Sequence, residues 1–83
     1  MRLRTTDLSA RTIGTETIIL NLPDSRYFSI TGVGTRVLEL LGEERSVDDL
    51  VDTIVGEYEI DAGTARRDIE AFVDRLRQAQ LLA

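Results

Sequence analysis

The sequence predicts an α+β domain: a small antiparallel sheet of two or three strands, followed by three helices. Three observations carry that prediction. Apolar residues alternate through residues 17–22 and again through 26–30, the period of a strand with one buried face. Beyond Gly32 the apolar spacing lengthens to three or four residues and stays so to the C-terminus, which is the period of a helix face. Ser46 and Asp61 each stand just before such a stripe, where a side-chain oxygen caps free N–H groups.

Residues 1–9 have no clear period and are expected to be a frayed lead-in or an extra strand. Residues 10–14 read as a first short strand that turns at Gly14-Thr15. In the strand at 17–22, Ile18, Leu20 and Leu22 alternate with Thr17, Ile19 and Asn21, and the first set is expected to face the core. Pro23-Asp24 supplies a fixed φ and a side-chain acceptor for a tight turn. In the next strand Phe28 and Ile30 share one face, and Tyr27 and Ser29 the other. Aromatic residues at strand period are usually core, so packing is the favoured role of Phe28.

Thr31 is placed to cap a first helix whose stripe is Val33, Val37, Leu38, Leu40 and Leu41, stopped by Gly42 in the left-handed conformation. Ser46-Val-Asp-Asp49 opens the second helix in the manner of a capping box. Its stripe is Val47, Leu50, Val51, Ile54, Val55 and Tyr58. Asp61 or Thr64 caps the third, which buries Ala65, Ile69, Phe72, Val73, Leu76 and Ala79 and turns Arg66, Arg67, Glu70, Asp74 and Arg77 outward. Leu81-Leu82 is expected to fold back onto the core.

Composition narrows the function. The 83 residues make one domain, near the size where a single core just suffices. Cysteine and histidine are both absent, which removes thiolate sites, the usual nucleophile and the commonest general base. An enzyme is therefore not expected, and neither a metal nor another cofactor. No run approaches the roughly 20 apolar residues that span a bilayer, and the N-terminus lacks the apolar core of a signal peptide. The expected place is the cytoplasm. Residues 43–61 carry eight acids against Arg45 alone, −7 within a total of −5, with +1 on either side. Such a middle repels phosphate backbones.

The order of several short motifs resembles one known family. Arg26-Tyr-Phe-Ser-Ile-Thr-Gly32, Val37-Leu-Glu-Leu-Leu41, Ser46-Val-Asp-Asp-Leu-Val51, Glu57-Tyr-Glu-Ile-Asp61 and Asp68-Ile-Glu-Ala-Phe-Val-Asp-Arg-Leu76 with Leu81-Leu82 are similar to the marks of the PqqD-like proteins, from about residue 10 onward. The junction departs from the family pattern, because Ile30-Thr31-Gly32 lacks the Asn and one spacer common before the Thr-Gly. The resemblance implies a winged helix-turn-helix-like fold over residues 1–83, with a three-stranded sheet packed on three helices. It also implies a function: these proteins, the recognition elements of ribosomally made peptide products, bind the leader segment of a precursor peptide. The free-standing lasso-peptide type works beside a separate leader peptidase and a cyclase. The pyrroloquinoline-quinone (PQQ) peptide chaperone is the alternative within the family.

An edge strand can pair with a disordered peptide through its free N–H and C=O groups. The expected peptide site is accordingly Arg26, Tyr27, Phe28, Ser29 and Ile30, the backbone of 27–30 forming the pairing edge. On the third helix Phe72 and Leu76 are expected as pocket floor, with Asp68 and Arg75 as charged rim. Core packing competes with the first pair of roles, and an exposed intrahelical ion pair with the second. The flank of that helix carrying Ile69, Val73 and Gln80 is the other candidate wall. The same open edge permits a weak dimer of an otherwise monomeric chain. The main rival of another class is a winged-helix DNA-binding regulator, but that needs a basic recognition helix. Here the second helix is acidic and the third is nearly neutral, so no nucleic-acid or membrane partner is expected. The acidic stretch from Glu43 to Asp61 is a candidate contact for a processing enzyme.

Overall fold

The computed structural model describes all residues, Met1–Ala83. Three strands, β1 (Leu8–Ile13), β2 (Glu16–Asn21) and β3 (Arg26–Thr31), precede three helices, α1 (Val33–Leu40), α2 (Val47–Glu57) and α3 (Ala62–Gln78). The sheet is antiparallel in the order β1-β2-β3. Gly14, at φ 62°, makes the two-residue turn between the first pair. Four residues join the second pair, with Ser25 at φ 57° and the Arg26 N–H donating to Asp24 Oδ1.

The buried face of β2 is the reverse of the expected one. Thr17, Ile19 and Asn21 are buried, Ile18 and Leu20 are half-buried, and Leu22 lies exposed beyond the strand end. The polar members of this inner set have partners: the Thr17 hydroxyl meets those of Thr12 and Thr35, and Asn21 Oδ1 accepts from the Arg4 guanidinium. Ile19 joins the core, while the polar residues sit where the sheet meets α1 and the N-terminal segment. Residues 1–7 form no strand of their own but are tied down by single contacts. Leu3 bridges Leu82, and its N–H donates to Leu41 O at 2.8 Å; Arg4 N–H donates to Leu81 O at 2.8 Å.

The helices follow their stripes with two changes at the ends. Gly32, not Thr31, is the N-cap of α1, and no side chain caps it. Its φ of 64° and ψ of −135° suit only glycine, so the step from β3 into α1 depends on that residue. Gly42 is not left-handed; α1 closes when Leu41 N–H donates to Val37 O and Gly42 N–H to Glu39 O. The core gathers Leu38 and Leu41 of the first helical segment, Leu50 and Ile54 of α2, Ala65, Ile69, Val73 and Leu76 of α3, and Leu81 behind it. Val55 and Tyr58, expected in the α2 stripe, stay exposed.

Ser46 and Asp49 make the reciprocal capping box, each side chain accepting the other's backbone N–H at 3.0 and 2.9 Å. Asp61 caps α3 through the N–H groups of Gly63 and Thr64. These bonds set a pH dependence. The Ser46 N–H lowers the Asp49 pKa, Arg36 lowers that of Glu57, and Thr64 lowers that of Asp61. A carboxyl whose folded pKa lies below its unfolded one stabilises the fold above the unfolded value and loses that contribution as the pH falls through the folded value. Thermal melts should therefore be flat from about pH 7 to about pH 5 and fall below about pH 4. A melting temperature unchanged down to about pH 3 would contradict this.

Candidate functional site

The register of the sheet decides which backbone groups of β3 are free. Gly32 N–H donates to Thr15 O at 3.2 Å, and antiparallel ladders alternate bonded and non-bonded pairs. Arg26, Phe28 and Ile30 therefore direct their N–H and C=O groups to Asn21, Ile19 and Thr17 of β2. Tyr27, Ser29 and Thr31 direct theirs outward, along an edge that no other strand covers. Within the expected pairing edge of 27–30, Tyr27 and Ser29 carry free backbone groups, Phe28 and Ile30 are bonded into the sheet, and Thr31, outside that expectation, is also free. Strand parity could have been found in the sequence only with the turn register known.

Phe28 and Ile30 instead contribute side chains. They point to the inner face and form one wall of a groove of about 520 Å³. The other wall is α3, with Asp68, Phe72, Arg75, Leu76 and Ala79; Val33, Gly34 and Val37 close one end. Gly34 allows the close approach there, since a Cβ on it would sit 2.7 Å from Ile30 Cγ2 and 3.4 Å from the Phe72 ring. The Thr35 hydroxyl, 3.1 Å from Ile30 O and 2.9 Å from Thr15 O, holds α1 against the end of the hairpin.

Of the residues expected from sequence, Phe28, Ser29, Ile30, Asp68, Phe72, Arg75 and Leu76 line this one groove. Arg26 stands at its rim, with its guanidinium carbon 5.4 Å from the centre of the Phe28 ring. Tyr27 turns its side chain to the opposite face of the sheet, where it is 72% exposed. The flank of α3 carrying residues 68, 72, 75 and 79 faces the groove, joined at its base by Ile69, while Val73 is buried in the core. Phe72 and Phe28 are half-buried, packed on the core from one side and open to the groove on the other. Asp68 and Arg75 make no ion pair, with each other or with a neighbour; Arg75 rests on Phe72, 5.5 Å from the ring centre.

The acidic stretch is dispersed. Asp48 pairs with Arg66, Glu57 with Arg36 at 2.8 Å and Glu43 with Arg45 at 3.2 Å, while Asp49 and Asp61 serve as caps. Asp52 and Glu59 are left without a partner, which weakens this face as a charged docking patch. No three acids come together to hold a metal ion, and no helix is long and apolar enough to cross a membrane.

β1 is also an open edge, but on its inner face only Leu8 packs on the core, while Ala10 and Thr12 are exposed. Only β3 combines free backbone with an apolar groove. Fold and groove together define an α+β domain with an open strand edge set against a helix. The chain belongs to the PqqD family: the family model described as "Coenzyme PQQ synthesis protein D (PqqD)" matches residues 16–82. Two solved structures are similar. One, "TbiB1 in Complex with the TbiA(beta) Leader Peptide", is 32% identical at a TM-score of 0.89, over 99% of this chain and 94% of that one. The other, "Lasso peptide synthetase B1 complexed with the leader peptide", is 24% identical at a TM-score of 0.83, over 96% and 93%, and supports the fold alone. No curated protein sequence matches the chain.

Proposed function

We propose that this protein is a non-catalytic adaptor of lasso-peptide maturation. It takes up the leader of a ribosomally made precursor peptide as a fourth strand on β3, and presents it to a leader peptidase and a cyclase. The observation that carries this reading is the coincidence of the free backbone of Tyr27, Ser29 and Thr31 with the groove between β3 and α3. Backbone pairing supplies affinity, and the groove takes alternate side chains of the added strand. The 32% identical relative, described in complex with a leader peptide, supports the assignment to this chain. A PQQ-type peptide chaperone would use the same groove, and the family model's own description favours that second reading.

The deciding experiment is a fluorescence-polarisation titration with labelled leaders from both pathway types. The expected dissociation constant for the right leader lies between about 1 nM and about 1 µM, because ordering the peptide offsets part of the contact energy. Phe72→Ala, which removes one wall without burying a charge, should weaken binding by about tenfold or more. Binding of the PQQ-type leader alone would replace the lasso reading. Binding unaffected by Phe72→Ala would move the site away from the groove.

A further inference from the structure

The groove has an electrical direction. Ile30 faces Phe72, as the contacts around Gly34 fix. At the other end, Arg4 ties the hairpin to the tail of α3: its N–H donates to Leu81 O and its guanidinium to Asn21 Oδ1. β3 and α3 therefore run in opposite senses along the two walls. Asp68, one turn before Phe72, lies toward the α1 end. Arg75 lies just beyond Phe72, its guanidinium over that ring, and Arg26 stands at the hairpin end of the facing wall. Both arginines rest on aromatic rings of the groove, and neither has a carboxylate partner. A guanidinium at the hairpin end without a carboxylate partner, and a carboxylate, Asp68, without a cationic partner toward the other end, favour an acidic side chain at the hairpin end.

We propose that the groove selects a peptide segment of the form apolar–x–apolar–x–acidic. This specificity rests on the strand-addition reading above. An added strand that runs antiparallel to β3, the sense of the rest of the sheet, places every second side chain on the inner face. Those positions stand opposite Ile30, then Phe28, then Arg26. The first two stand beside apolar side chains, and the third stands beside Arg26, at the end of the groove away from Asp68. The reversed strand would carry its acidic residue to Asp68, so the charges also fix the direction of the peptide.

The test is selection of a displayed library of random 12-residue peptides on the intact protein and on an Arg26→Glu/Arg75→Glu double variant. Both side chains are exposed at the rim, so the variant should melt with the wild type. The wild-type protein should enrich Asp or Glu two residues after the second apolar position, and the variant Lys or Arg there. In solution, exchanging that Glu for Lys in an enriched peptide should cost about fivefold in affinity for the wild-type protein and be reversed by the variant. An enriched apolar pair with no charge preference, or the same preference for both proteins, would overturn the polarity while leaving the groove as the binding site. No enrichment, or enriched peptides that bind Phe72→Ala equally well, would overturn the groove reading and this specificity with it.

Discussion

Ser29→Pro is expected to leave the protein folded and to weaken leader binding by at least about tenfold, the loss of one to two backbone hydrogen bonds and of close strand approach. The effect turns on the direction of a single N–H. Ser29 stands opposite Ile18 at a pair where its backbone groups point away from β2. Proline there removes a donor that the free protein does not use, and edge strands tolerate proline for this reason. An incoming strand would lose that donor and meet the ring. Ile30→Pro, one residue on, should do the opposite kind of damage. The Ile30 N–H belongs to the ladder with Thr17, so its loss breaks the sheet itself and lowers the melting temperature. Circular dichroism melts beside the peptide titration separate the two effects. Equal binding by Ser29→Pro and wild type would show that the peptide does not add to β3.

Much of this site was legible in the sequence because it depends on spacing. The alternation through Arg26–Ile30 places Phe28 and Ile30 together on the inner face, and the helical period groups Asp68, Phe72 and Arg75 on one flank. The Ser46–Asp49 capping box is likewise a local signal, fixed by a separation of three residues. What the sequence left hidden depends on register and on tertiary partners. Which β3 groups point outward follows from the pairing of Gly32 with Thr15, set by the hairpin and by no property of residues 26–31 themselves. Tyr27 is a large aromatic on the solvent face, where hydrophobicity alone misleads. Thr31 has the chemistry of a cap, but it is held in β3, and the positive φ of Gly32 begins the helix instead. Gly42 resembles a left-handed stop, yet tightened bonds to Val37 and Glu39 have already closed α1.

The misread face of β2 leads to the largest stability effect expected here. Ile19→Ala should cost about 2–5 kcal/mol, the usual toll of removing a buried aliphatic side chain that cannot be replaced by collapse. Ile19 is fully buried and is the one sheet residue among the 13 of the main core cluster, so it couples the sheet to the helices. A domain of this size holds about 5–15 kcal/mol in all, and each 1 kcal/mol shifts its midpoint by about 4–8 °C. A fall of 10 °C or more is therefore expected, to within about 5 °C. Leu20→Ala is the matched control, one residue away in the same strand. Leu20 is only half-buried, on the outer face, so its truncation should cost about 1 kcal/mol or less. Alanine's poor strand propensity burdens both variants alike, and their difference reports burial. Urea unfolding of the pair would measure it directly. If the order were reversed, Leu20 costing more than Ile19, the inner face would be the one that the simple alternation of Ile18, Leu20 and Leu22 suggests. Phe28 and Ile30, which share a face with Ile19 across the ladder, would then point away from α3, and the groove could not form.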